Sequence, residues 1–85
     1  GPEALLMTYE AGILVSQPDG RLAIQPGDRP VSDLYGLHCG DGLEIWLEGR
    51  WLTGRVEYDS QGWYWTDDRR SMVLVPRMRA RGYVG

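Results

Sequence analysis

LHCGDGLEIWLEGRWLTGRVEYDSQGWYWT, residues 37–66, reads as three short antiparallel strands joined by two tight turns, and it holds all four tryptophans of the 85-residue chain. Apolar and polar residues alternate through Leu43–Leu47 and again after Gly49, the two-residue period of a half-buried strand. A two-residue turn at Gly49-Arg50, glycine first, predicts a type II′ geometry with Glu48 opposite Trp51. That register pairs Leu43 with Val56, Ile45 with Gly54 and Leu47 with Leu52 on an apolar face. Glu44 then meets Arg55 and Trp46 meets Thr53 on an amphipathic one. A slip by one residue scrambles both faces, which supports the assignment.

The next turn, Asp59-Ser60-Gln61-Gly62, pairs Tyr58 with Trp63 and Val56 with Trp65. Trp65 then lies diagonally from Gly54, where the missing side chain leaves room for a large ring. The expectation is that Trp63 and Trp65 enter the core, while Trp46, Trp51 and Tyr64 point outward.

Upstream, Gln17-Pro18-Asp19-Gly20 separates the apolar runs Gly12–Ser16 and Arg21–Ile24. Proline presets φ and glycine accepts positive φ, so this is a hairpin. Residues 25–33 (QPGDRPVSD) read as an ordered loop, with Ser32 or Asp33 capping one helical turn through Leu37. Downstream, Asp67–Arg70 is a polar turn, Ser71–Val75 a further strand ended by Pro76, and Met78 with its flanking arginines a last short one. Five to seven short strands joined by tight turns indicate an all-β fold, a small closed barrel or sandwich occupying residues 7–85 as a single domain. Gly1-Pro2 resembles a cleavage scar with Met7 as a native start, so residues 1–6 are set apart from the fold.

Composition narrows the function. The chain has no lysine and no phenylalanine, and its nine basic residues are all arginine. All 12 acids fall within residues 1–68, giving that part a net charge of −8, whereas residues 69–85 carry five arginines and no acid. An acidic body opposes non-specific binding to phosphate backbones. Arg69, Arg70, Arg77, Arg79 and Arg81 keep a local nucleic-acid contact open, although a solvated strand face is the simpler reading. Cys39 stands alone, so no disulfide forms and a reduced, cytoplasmic setting is expected. No apolar run reaches the roughly 20 residues of a membrane span.

The stretches Leu37-His38-Cys39-Gly40-Asp41, Leu43-Glu44-Ile45, Gly49-Arg50-Trp51, Arg55-Val56-Glu57-Tyr58 and Gly62-Trp63-Tyr64 resemble a short bacterial family known as domain of unknown function 5348. Gly12, Leu14 and Asp19-Gly20-Arg21 look like its opening hairpin. The likeness covers roughly Gly12 to Arg79 and implies an SH3-like barrel but no activity. Residues 69–76 depart from the leucine-and-glycine pattern expected of the family there. Gly49-x-Trp51-x-x-Gly54-x-Val56 also looks, more distantly, like the second-strand signature of Tudor and other SH3-like barrels.

Chemistry-bearing sets are sparse. His38 and Cys39 are neighbours that point to opposite faces of a strand, and no further His or Cys completes a metal site. Cys39 therefore reads as a small core residue and His38 as a surface one. Asp67-Asp68, with Asp59 and Glu57 nearby, sits on a turn tip without the cleft that acid–base work requires. No enzyme, cofactor or metal is expected. The outer patch of Trp46, Trp51 and Tyr64, with Glu44, Glu48 and Arg55, is the candidate binding site, because Trp, Tyr and Arg anchor interfaces. The alternative is that the first hairpin or the arginine-rich end folds over these rings as a second small core.

The expected function is a non-enzymatic module that binds a protein partner, as a monomer or weak homodimer. The second reading is an accessory protein of phage or mobile-element origin acting on nucleic-acid machinery, either by acidic mimicry or through the C-terminal arginines.

Overall fold

Alternating side chains and glycine-bearing turns produce strands almost throughout. A computed structural model describes residues 7–85; the expectation of a cleavage scar at residues 1–6 falls outside the described residues. Seven strands form: β1 (Thr8–Ser16), β2 (Leu22–Gln25), β3 (Gly42–Leu47), β4 (Arg50–Asp59), β5 (Gly62–Thr66), β6 (Ser71–Val73) and β7 (Arg79–Val84). They make one antiparallel sheet in the order β2-β1-β7-β3-β4-β5-β6. The sheet curls around a single core, with Leu14, Leu22 and Ile24 from one end meeting Val56, Trp65 and Leu74 from the other. The result is barrel-like but open, since no ladder joins β2 to β6. One hydrogen bond spans the opening: the Trp63 indole N–H donates to the Gly20 carbonyl at 2.8 Å.

The central hairpin differs from expectation by a two-residue slip. Leu47 pairs with Arg50, Trp46 with Trp51, Ile45 with Leu52 and Leu43 with Gly54. The turn is Glu48-Gly49, with φ of 52° and 80°, the double positive φ of a type I′ turn. A slip of two preserves both faces, so alternation alone does not distinguish the registers. The β4–β5 pairing is as expected, with Val56 opposite Trp65 and Tyr58 opposite Trp63.

Gly54 and Trp65 lock together. Trp65 is fully buried, and its indole N–H donates to the Leu43 carbonyl at 3.0 Å. A Cβ at Gly54 would collide with the indole and would stand 2.6 Å from the Thr66 carbonyl oxygen. Gly12 has the same role on β1: a Cβ there would run into the Gln25 carbonyl group, where the chain leaves β2.

Trp63 packs against the core as expected but from its rim, only partly buried, with its indole N–H donating to the Gly20 carbonyl. Three further expectations are corrected. Cys39 is exposed; Leu37, two residues earlier, fills the core instead. The helical turn is a short 3-10 segment at Val31–Asp33, entered from Pro30 with no side-chain cap. The largest change concerns the C-terminal arginines. β7 extends to Val84 and lies between β1 and β3, pairing Thr8–Ile13 with Val84–Arg79.

Candidate interaction face

The position of β7 decides what covers the outer tryptophans. Ala80, Gly82 and Val84 are buried, so Arg79, Arg81 and Tyr83 point outward by the period of two. Glu44 pairs with Arg81 across β3 and β7, and Trp46 with Trp51 across β3 and β4. The side chains interlock. The two tryptophan rings meet edge-on, 5.2 Å between centroids and 66° between planes. The Arg81 guanidinium lies 4.1 Å above the Trp51 ring, and it donates through Nε and Nη2 to both Glu44 oxygens at 3.0 and 3.1 Å. That charge-assisted pair holds the guanidinium protonated above its ordinary range. The Arg79 guanidinium sits 4.9 Å from the Trp46 ring and 5.7 Å from that of Trp51.

The arginines thus brace the rings without enclosing them. Trp46 and Trp51 stay half-buried, midway between an open patch and a second core. Cation–π stacking explains why arginine, with its flat and weakly hydrated head, suits this place better than lysine.

The same face continues across β7 onto β1. Tyr9 and Tyr83 are paired and meet edge-on at 5.0 Å. They are 44% and 63% exposed, and Ile13 beyond them is 38% exposed. Between the tyrosines and Glu44 lies a groove of about 380 Å³, lined in part by Gly42, Gly54 and Gly82 and flanked by Met7 and Arg81. Sequence reasoning missed Tyr9, Tyr83 and Ile13. The alternation Tyr9-x-Ala11-x-Ile13 and Arg79-x-Arg81-x-Tyr83 was present, but only the pairing of β1 with β7 joins it to the tryptophans.

Residues 13–82 match the family described as Domain of unknown function (DUF5348). The chain belongs to that family. A comparison with curated proteins gave no match, and a comparison with solved structures gave none either. In this DUF5348 domain the Trp46–Trp51–Arg79–Arg81 cluster lies inside the matched span, whereas Met7, Tyr9 and Tyr83 lie outside it.

The remaining candidates of the DUF5348 domain are dispersed. Tyr64 pairs with Glu57, six residues along β4 from Trp51, about 20 Å at about 3.4 Å per residue. It lines a separate shallow depression with Val73 of β6. Arg55, opposite Gly42 at the edge of the groove, turns away from the rings: its Nε donates to Glu57 at 2.7 Å, and its two terminal nitrogens hold Asp68 at 2.7 and 2.8 Å. This fork raises the Arg55 pKa further above the accessible range and lowers that of Asp68. Glu48 occupies the β3–β4 turn rather than facing Trp51.

The five C-terminal arginines do not form one patch. Arg69 and Arg70 belong to the β5–β6 turn, where their backbone N–H groups both donate to Asp67 and lower its pKa. Arg77 is in the β6–β7 turn, its N–H donating to the Leu14 carbonyl at 2.8 Å. His38 and Cys39 are both exposed, with His38 Nδ1 3.9 Å from Asp41. Among the described residues, no group of three His, Cys, Asp or Glu side chains is placed to hold a metal ion. No helix among the described residues is long and apolar enough to cross a membrane.

Proposed function

We propose that this domain is a non-enzymatic interaction module, SH3-like in kind and working in the bacterial cytoplasm, that docks a protein partner on the outer face of β1, β7, β3 and β4. The observation that carries the reading is the Trp46–Trp51 pair, only partly covered between Arg79 and Arg81. Tryptophan, tyrosine and arginine supply most of the energy at protein interfaces, because they bury large area with few rotatable bonds and keep a polar handle. Here those residues gather on one face with a shallow groove beside them. Of the residues first suggested by sequence, Trp46, Trp51 and Glu44 belong to this face, Arg55 borders it with its guanidinium held by Glu57 and Asp68, and Tyr64 lies farther off beside Glu57.

A photo-crosslinking residue at Tyr83, compared with one at Asp59 beyond the face, tests the reading in cells. Discrete adducts from position 83 that disappear in the Trp46→Ala variant are expected. Equal labelling from both positions, or adducts indifferent to Trp46, would rule the face out.

The second reading, contact with nucleic-acid machinery, draws on the stacked rings and arginines, which also suit unpaired bases. It is weaker, because Arg81 is neutralised by Glu44 and the chain carries a net charge of −3.

A further inference from the structure

We infer that the segment this face receives is an acidic, extended peptide stretch with an apolar side chain about four residues from its carboxylates. This inference rests on the docking reading above and specifies the chemistry of the partner.

Charge supplies the first half. Arg21, Arg29, Arg55, Arg70 and Arg81 each pair with a carboxylate. Among the described residues, Arg50, Arg69, Arg77 and Arg79 form no ion pair, and of these it is Arg79 that lies against the tryptophans. Arg79 stacks on both rings, whereas Arg50 pairs with Leu47 on the other face of β4 from Trp51, and Arg69 and Arg77 lie in the β5–β6 and β6–β7 turns. A guanidinium that stacks by its flat face keeps its N–H edge free for a carboxylate, and the rings beneath it displace water that would screen the pair. The rest of the surface is predominantly acidic and repels the same segment, which fixes where it binds.

The groove supplies the second half. It opens beside Tyr83, four residues beyond Arg79 on β7, or about 14 Å at about 3.4 Å per residue. An extended peptide along the face spans that distance in four residues. The Met7, Tyr9 and Tyr83 side chains and the glycine floor suit an aliphatic or aromatic side chain. They offer little to a phosphate, and the Glu44 carboxylate on the groove wall opposes one. A nucleic-acid strand would find cations at one end only.

Panning a random dodecapeptide phage library against the full chain, and against an Arg79→Glu variant, tests this. Selected peptides are then titrated by tryptophan fluorescence. The wild type should select Asp or Glu about four positions from an apolar residue, and Arg79→Glu should select Lys or Arg instead. Wild-type peptides should lose at least about tenfold in affinity to Arg79→Glu, and again to Tyr83→Ala, both exposed positions that leave the core intact. Peptides that need Trp46 and Trp51 but are neutral or basic would overturn the acidic assignment and leave docking standing. Peptides indifferent to both tryptophans would overturn the docking reading and the inference together. Tighter binding of oligothymidylate than of any peptide, on the same residues, would overturn the inference in favour of nucleic acid.

Discussion

The indole of Trp65 occupies the space that the absent side chain of Gly54 leaves open, and its N–H donates to the Leu43 carbonyl at 3.0 Å. Three strands are tied by this one contact, since Leu43 is on β3, Gly54 on β4 and Trp65 on β5. Gly54→Ala should therefore destabilise strongly although it adds a single methyl group. The listener to that clash is backbone as well as ring, so relaxation is restricted, and overpacking of this kind costs about 1–3 kcal/mol. Urea unfolding midpoints measure it. A loss comparable to that of an exposed Thr53→Ala change would refute the packing.

Trp65 and Trp46 should separate by more than a factor of two in stability. Trp65 is enclosed, so Trp65→Ala removes a large buried side chain at about 3–5 kcal/mol. Trp46 is only partly buried, and its pair with Trp51 contributes about 0.5–1.5 kcal/mol beyond area. Trp46→Ala should keep a native far-ultraviolet spectrum and a cooperative transition. Unfolding of Trp46→Ala would instead make the outer rings a core.

Glu48 adopts φ of 52° in the β3–β4 turn, a conformation that costs a residue with a Cβ about 1 kcal/mol. Asparagine tolerates it, and Asn-Gly is the preferred type I′ sequence. Glu48→Asn should raise stability by some part of that cost, read from thermal unfolding. A type II′ turn with glycine first would give no gain.

Acid should weaken the β5–β6 region first. Asp68 is held below the ordinary aspartate range by the Arg55 fork, and Asp67 by the backbone N–H groups of Arg69 and Arg70. A depressed carboxylate stabilises the fold above its unfolded pKa, and that contribution is lost as pH falls below about 4 through the folded value. The arginines are protonated in both states across this range and add no slope. Asp68→Asn should flatten the decline in stability between about pH 4 and pH 2. An unchanged slope would show that the fork is not formed in solution.

Removal of residues 79–85 should abolish folding rather than trim a tail. β7 is paired on both sides, with β1 and with β3, and its loss would split the sheet and expose Leu14 and Ile45. A truncated chain that retains a cooperative transition would disprove the central placement.

Much of the fold was legible because its signals are local. The Pro-Asp-Gly turn, the alternation in β3, β4 and β5 and the Gly54–Trp65 fit depend on residues near one another in the chain or on adjacent hairpin strands. The hairpin register escaped by two residues because faces repeat with that period, and only the conformation of the Glu48-Gly49 turn chooses between the two alignments. Cys39 was misplaced because Leu37 takes the core position at the entry to β3, a matter of where the loop crosses the barrel end.

By itself the sequence determined that this protein is an all-β domain, which faces of its hairpins turn inward, and that Trp46 and Trp51 turn out. Tertiary structure alone decided that β7 lies between β1 and β3, and so that Arg79 and Arg81 stack on those rings while Tyr9 and Tyr83 extend the face. The physical reason is that alternation specifies which side of a strand is apolar but carries no record of its neighbours. A strand's neighbours are chosen by the closure of the whole core.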